Sequence, residues 1–382
     1  MNHPAFRIIL LMVPLLISGC EEAPRTDEGP APTNNVNVPE SRPFYMGFTP
    51  WPYDFTQKAV DDTYCTVLQH SDLIAHHFDG GVPWEEALAG KPYHPHVIQE
   101  IENRVKESKG KKVYVAVTPL GFDRKSLALY WGRQSNMESG RWNRKKFSDF
   151  EVITAYTNFC RYMIDAFDPD YMAYGIEVDA ALPEGRTFEE FRVLVETVYT
   201  TLKKENPDLP LFLTFQVTSS HDKEAKQRID EQLLMYSDYV AVSAYPFWMF
   251  GESVAEKADP RNIPRDLFSS MAELAPEKPF AVAETGYIAE DLIIKSLSIT
   301  IEGSEKGQAD YVQWLLEECT TLHAEFVVWF VSRDYDQAWE TLEEMGADEF
   351  LKTWRDTGFL DGKGNYRLAL QVWDAWLQLP RS

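Results

Sequence analysis

Two textures of apolar patterning alternate along this chain. Short runs that are apolar almost throughout read as strands, at 44–52, 73–81, 112–120, 171–179, 209–217, 239–247, 279–287 and 325–334. Between them apolar residues recur at steps of three and four, the period of a helix with one buried face. The clearest helical stretches are 147–167, 187–207 and 309–322, the second ending at Asn206-Pro207. Strands apolar on both faces suit a parallel sheet covered on both sides. Eight strand–helix units in succession predict an α/β fold, a (β/α)8 TIM barrel, over residues 43–382. An open doubly wound sheet is the rival, and the count of eight and the lack of a phosphate-binding glycine loop favour the barrel.

Ahead of residue 43 the pattern changes. "MNHPAFRIILLMVPLLISGC" has a short polar start with Arg7, then an apolar run from Ile8 to Ile17. That run is too short to cross a bilayer and reads as a signal peptide over residues 1–19. It ends in "LISGC", which resembles a bacterial lipobox. The resemblance implies cleavage before Cys20 and lipidation of Cys20, with a palmitate-type chain anchoring the protein to a membrane. Glu21, not Asp, follows the cysteine, so the expected location is the cell envelope, at the outer membrane in a Gram-negative cell. Residues 20–42 are rich in Pro, Asn, Glu and Thr and read as a disordered linker. The other cysteines, Cys65, Cys160 and Cys319, fall in helix-like segments and are expected as three buried thiols, with one bridge and one free thiol as the alternative.

Charge narrows the partners. With 60 acidic against 37 basic side chains the net charge is −23, which repels a phosphate backbone and argues against nucleic acid. The chain has no CxxC and no GxSxG, and no cofactor or metal is expected. "HPH" at 94–96 reads as loop. Aromatics reach 13%, with 11 Trp, which fits a large core or a cleft lined with flat rings. One stretch between the third strand and the next helix stands out as basic, with Arg124, Arg133, Arg141, Arg144, Lys145 and Lys146 around Trp131 and Trp142. It reads as a lid, a cleft wall or a solvated loop.

In a (β/α)8 barrel, chemistry gathers at the C-terminal ends of the strands. The polar residues there are Trp51 and Asp54; His76, His77 and Asp79; Thr118; Glu177 and Asp179; Gln216; Tyr245 and Trp248; Glu284 and Tyr287; and Trp329, Arg333 and Asp334. Glu177 ends the fourth strand and Glu284 the seventh, so the two can face each other across the barrel mouth. Two carboxylates flanking a cleft are the machinery of glycoside hydrolysis, one attacking the anomeric carbon and the other protonating the leaving oxygen. His76 and His77 are adjacent, so at most one looks into the cleft. Trp51, Trp84 and Trp248 are candidate platforms for sugar rings.

Carboxylates at strands four and seven resemble the clan A glycoside hydrolases. "AETGY" around Glu284 is similar to the strand-seven motif of the arabinogalactan endo-β-1,4-galactanase family. The resemblance implies Glu177 as acid/base and Glu284 as nucleophile. It also implies Tyr245 as the tyrosine that hydrogen-bonds the nucleophile and Trp329 as the floor of the sugar site. Ile176 stands where the clan commonly has an Asn before the acid/base, and Asp179 is a fallback acid. The expected protein is a lipid-anchored hydrolase of a β-linked poly- or oligosaccharide. Its substrate contacts are expected from Trp51, His76, Asp79, Asp179, Gln216, Tyr245, Trp248, Tyr287, Trp329 and Arg333. The alternative is a barrel that binds a glycan or a partner without cleaving.

Overall fold

The computed structural model describes residues 36–382 apart from 109, 133–139, 183–184, 218–222 and 252–255. The leader, Cys20, most of the linker and Arg133 lie outside the described residues.

Eight strand positions close into a ring. They are β1 (Tyr45–Phe48), β2 (Leu73–Phe78), β3 (Lys112–Val117), β4 (Tyr171–Ala173), β5, β6 (Val240–Ala244), β7 (Phe280–Thr285) and β8 (Phe326–Trp329). Strand β5 is broken at Leu213 into Leu211–Phe212, which pairs with β4, and Thr214–Val217, which pairs with β6. All barrel neighbours run parallel, and β1 pairs with both β2 and β8, so the order closes on itself. Each strand matches one of the apolar runs, and all but β5 are shorter at the C-terminal end. The residues beyond each strand turn out over the mouth, and that is where the polar ones lie.

Helices follow each strand. They are α1 (Gln57–Gln69), α2 (Trp84–Ala89), α3 (Pro95–Glu107), α4 (Phe150–Phe167), α5 (Arg186–Glu205), α6 (Lys223–Leu234), α7 (Ser269–Ala272), α8 (Glu305–Thr321), α9 (Asp336–Glu344) and α10 (Leu368–Leu377). "HPH" opens α3, with His94 at its N-cap and Pro95 in the first turn, where proline's missing N–H costs nothing. Helix α4 buries Val152, Tyr156, Phe159, Met163 and Phe167, an apolar stripe at three- and four-residue steps. Cys160 and Cys319 are buried free thiols as expected. Cys65 differs: it is half-buried on α1 and not free.

Alternation along the strands divides the interior in two. Residues such as Val113, Val115, Val327 and Trp329 face the helix layer. Their neighbours Tyr114, Ala116, Tyr171, Phe212, Tyr239, Ala241, Ala281, Phe326 and Val328 fill the barrel itself. Phe326 is the hub of that plug, with ring centroids 4.8 Å from Tyr171 and 5.1 Å from Tyr114. Large rings from some strands sit against alanines from others, so the barrel is packed solid beneath its mouth. Gly47 is fixed by this closeness, because a Cβ there would lie 2.5 Å from Leu73 Cδ2 and 2.6 Å from the Leu73 carbonyl oxygen.

The chain joins the fold before residue 43. Arg42 is 4% exposed and reaches Asp72 at 2.6 Å and the Leu377 carbonyl at 3.1 Å. The expected linker thus ends in packed structure.

Removing the hub ring should cost the most. Phe326→Ala is expected to destabilise the fold by about 3–5 kcal/mol, read as a lower denaturant midpoint at unchanged slope. A change under about 1 kcal/mol would show that the plug relaxes around the gap.

Candidate active site

A cleft of about 640 Å³ opens over the C-terminal ends of the strands, and both Glu177 and Glu284 line it. Glu284 reaches it through an irregularity. Ala281 and Ala283 point into the barrel, so strict alternation would send Glu284 out to the helices. The register of β7 shifts between Val282 and Glu284, and again between Val282 and Thr285. Such a bulge re-aims one side chain. Glu284 turns to the mouth, while Thr285 faces outward and bonds the Tyr311 hydroxyl on α8 at 2.6 Å.

Two side chains hold the Glu284 carboxylate. The Tyr245 hydroxyl donates to Oε1 at 2.5 Å, and His77 Nδ1 lies 2.8 Å from Oε2. Burial pushes the Glu284 carboxyl up, but the charge and hydrogen bond of His77, the Tyr245 bond and the charge of Arg124 outweigh it. The net direction is below the ordinary glutamate value. Burial and the neighbouring Glu284 charge push the Tyr245 hydroxyl well up, so it stays a neutral donor.

Glu177 arrives by a different local device. Strand β4 ends at Ala173, and the backbone then bends so that Glu177 adopts φ +47°. The Thr214 hydroxyl accepts its N–H at 2.8 Å. Gly175 permits the bend, since a Cβ there would lie 2.7 Å from both Leu213 and Val178 side chains. Ile176 packs into the barrel plug, which leaves Glu177 facing the cleft. Its Oε1 accepts from the Ser243 hydroxyl at 2.7 Å. Its Oε2 accepts from Arg124, at 3.0 Å from Nη2 and 3.2 Å from Nε.

Arg124 is shared. It also donates from Nη1 and Nη2 to the two oxygens of Asp79, at 2.7 and 2.6 Å. Arg124 too lies in left-handed backbone, at φ +54°. Each such residue costs about 1–2 kcal/mol, so both ends of this ion pair are held against local preference. Burial pushes the Glu177 carboxyl up, Arg124 pulls it down, and the Glu284 charge pushes it up again. The net direction is upward.

The structure brings Trp51, Asp79, Gln216, Tyr245 and Trp248 to the cleft beside the two glutamates. Five expected contacts lie elsewhere. His76 is fully buried and bonds Ser108 at 2.6 Å on the helix side, and His77 takes the cleft position instead. Trp329 is fully buried, donating to the Thr357 carbonyl at 2.8 Å and stacking on Phe359. Its odd place in the alternation sends it outward, and Phe330 is the ring that reaches the cleft. Tyr287 stacks on Tyr311 behind β7. Arg333 lies over the Tyr53 ring and bonds the Gly362 carbonyl. Asp179 accepts the Gln216 N–H at 2.7 Å, away from the cleft wall. Trp84, a candidate platform, is buried and stacked on Trp142.

The basic segment after β3 forms cleft wall in part: Phe122, Arg124, Leu127 and Trp131 line it. Arg124 had a signal, as one base in a basic stretch of an acidic chain. Ser243 had one too, as the single hydroxyl in the apolar run of β6. Trp354 and Phe350 come from a short 3-10 helix after α9, Glu349–Trp354, where no periodicity marks them. Rings run along the rim from Trp51 through Phe330 and Trp354 to Phe350 and Trp248, with successive centroids 5.6 to 6.2 Å apart.

Among the described residues no group of three or more His, Cys, Asp or Glu is placed to hold a metal ion. The cleft holds two glutamates of unlike proton affinity, with a tyrosine, a histidine and an arginine beside them.

No known protein-family model matches the chain. It is 26% identical over 267 residues to isoleucine–tRNA ligase 2 of Bacillus cereus, a match covering 68% of this chain and 23% of that protein. The chain thus spans less than a quarter of that relative's length. Solved structures give a broader likeness. A GH5_18 protein of Streptomyces cattleya in complex with GlcNAc is similar over 88% of this chain and 80% of its own, at TM-score 0.62 and 13% identity. Xylanase 10B of Thermotoga maritima is similar over 88% and 95%, at TM-score 0.57 and 11% identity. The GH53 catalytic domain of Ignisphaera aggregans is similar over 83% and 88%, at TM-score 0.52 and 17% identity. The chain has the (β/α)8 barrel fold found in these glycoside hydrolases.

Proposed function

We propose that the protein hydrolyses a β-linked glycan by a retaining double displacement, with Glu284 as nucleophile and Glu177 as acid/base. The observation that carries this reading is the divergence of two buried carboxylates in one cleft. Glu284 is held ionised by Tyr245 and His77, while Glu177 is pushed towards its protonated form. An ionised and a protonated carboxylate are what the first step requires. Glu284 attacks the anomeric carbon as Glu177 gives its proton to the leaving oxygen. Glu177, now a carboxylate, takes a proton from water, and that water releases the sugar from Glu284. Tyr245 steadies Glu284 throughout, and the rim of rings offers flat faces to pyranose C–H groups. The chemistry needs no cofactor.

The strand-seven resemblance makes a β-1,4-galactan the first polymer to offer, with xylan and mannan beside it. With the lipobox-like leader, we propose a location on the cell envelope, anchored through Cys20, at the outer membrane of a Gram-negative cell. Intact-mass spectrometry of the membrane fraction should find a lipid-modified chain beginning at Cys20. A chain still carrying Met1 would overturn the anchor.

A second reading is a glycan-binding barrel without turnover. It is favoured by the engagement of both Glu177 oxygens, one by Arg124 and one by Ser243. A panel of β-glycans separates the two: turnover supports hydrolysis, and saturable binding without product supports the second reading.

For a hydrolase, Glu284→Gln should lower kcat by about 10⁴-fold or more, since loss of a nucleophile disables the whole catalytic unit. Glu177→Gln should cost about 10²–10⁴-fold. That loss should shrink on an aryl glycoside, whose leaving group needs no proton. Equal losses on both substrate types would remove Glu177 from the acid role.

Turnover should follow a bell-shaped pH profile. Activity requires Glu284 ionised and Glu177 protonated, so the acid limb lies below the ordinary glutamate value and the alkaline limb above it. The limbs belong to the coupled pair. Activity that rises steadily above neutrality would contradict the assignment.

A further inference from the structure

We propose that Asp79 and Arg124 act as one positioning unit that sets how tightly Glu177 holds its proton, with Asp79 blunting the charge that Arg124 presents to it. The inference rests on the acid/base reading of Glu177 but concerns two residues to which that reading gives no role.

The geometry is a chain of three. Arg124 Nη2 lies 2.6 Å from Asp79 Oδ2 and 3.0 Å from Glu177 Oε2, so one nitrogen serves both carboxylates. Nη1 completes a bidentate pair with Asp79, and Nε adds a second contact to Glu177. Arg124 is 8% exposed, so solvent does little to screen it. A lone arginine at this distance would keep Glu177 ionised and useless as an acid. With Asp79 on its other edge, the arginine still orients Glu177 through two hydrogen bonds, but its field is largely offset. Orientation and proton affinity, which one cation would couple, are thereby separated.

The surroundings leave few other groups to do this. Facing Glu177 are Arg124 from the loop after β3, Asp79 from the loop after β2, the Ser243 hydroxyl from β6, the Thr214 hydroxyl from β5 and Glu284 from β7. Behind Glu284 stand His77 and Tyr245. His77 sits against Glu284, so Arg124 is the cation of this set that acts directly on Glu177. Both Arg124 and Glu177 occupy left-handed backbone. A surface ion pair would have no reason to keep two such conformations, whereas a site that needs a fixed guanidinium does.

The test uses single substitutions with opposite signs. Asp79→Asn keeps the shape and removes the blunting charge, so Glu177 should release its proton about one pH unit lower. Arg124→Gln removes the cation, so Glu177 should release it about one pH unit higher. Arg124→Lys keeps the charge and should stay nearer the parent than either. Two readouts are taken on the full chain, with folding checked by thermal unfolding. One is the alkaline limb of kcat/KM. The other is the infrared carboxyl titration of Glu177, isolated by difference from the same background carrying Glu177→Gln. Opposite displacements support the proposal. Displacements of the same sign, or none, overturn it, whatever the loss of rate. The infrared titration needs no substrate, so it tests the unit even if no glycan is turned over. A bell-shaped profile whose alkaline limb ignores both substitutions would sink the proposal and leave the hydrolase reading standing.

Discussion

Asp79, Glu177 and Glu284 sit close together in one cleft around the guanidinium of Arg124 and the imidazole of His77, and the rest of the site follows from how those two groups are shared. Asp79, Glu177 and Glu284 cannot all carry full charge there without partners, because burying an unpaired carboxylate is expensive. The arginine is divided between two of them and the histidine is given to the third. The outcome is asymmetric by construction. One glutamate is stabilised as an anion and the other is pushed towards its protonated form. Acid–base chemistry at a single cleft needs that difference.

The barrel supplies the positions through its period of two. Inward-facing residues of successive strands form a packed plug below, and the next inward positions above the plug are His77, Thr214, Gln216, Ser243, Tyr245 and Phe330. The two glutamates depart from this regularity. Glu284 reaches the cleft through the bulge in β7 and Glu177 through the left-handed bend after β4. Local irregularity thus falls at the two residues assigned to bond making and breaking, where distortion is most often retained for a purpose.

Much of this was legible before any coordinates. Eight apolar runs announced the barrel, and carboxylates at the fourth and seventh of them announced the facing pair. Errors in the site came from parity. Trp329 and His76 sit one position off the inward face, and a one-residue displacement on a strand exchanges core for cleft. Reading alternation outward from the plug would have chosen Phe330 and His77. Tyr287, Arg333 and Asp179 lie past the strand ends, where the backbone turns and alternation no longer tells direction. Arg124 was visible as a base in an acidic chain, but its two partners come from loops some 45 and 53 residues away in sequence. No local pattern encodes a meeting of that kind.

The most direct measurement is to trap the intermediate. The full chain would be incubated with activated 2-deoxy-2-fluoro-β-glycosides of the gluco, galacto, manno and xylo series, digested, and mapped by mass spectrometry. The expected result is one sugar bound covalently to the peptide carrying Glu284, with loss of turnover in step with labelling. Labelling of a different residue would contradict the central claim. So would turnover of the parent glycosides with no adduct at Glu284.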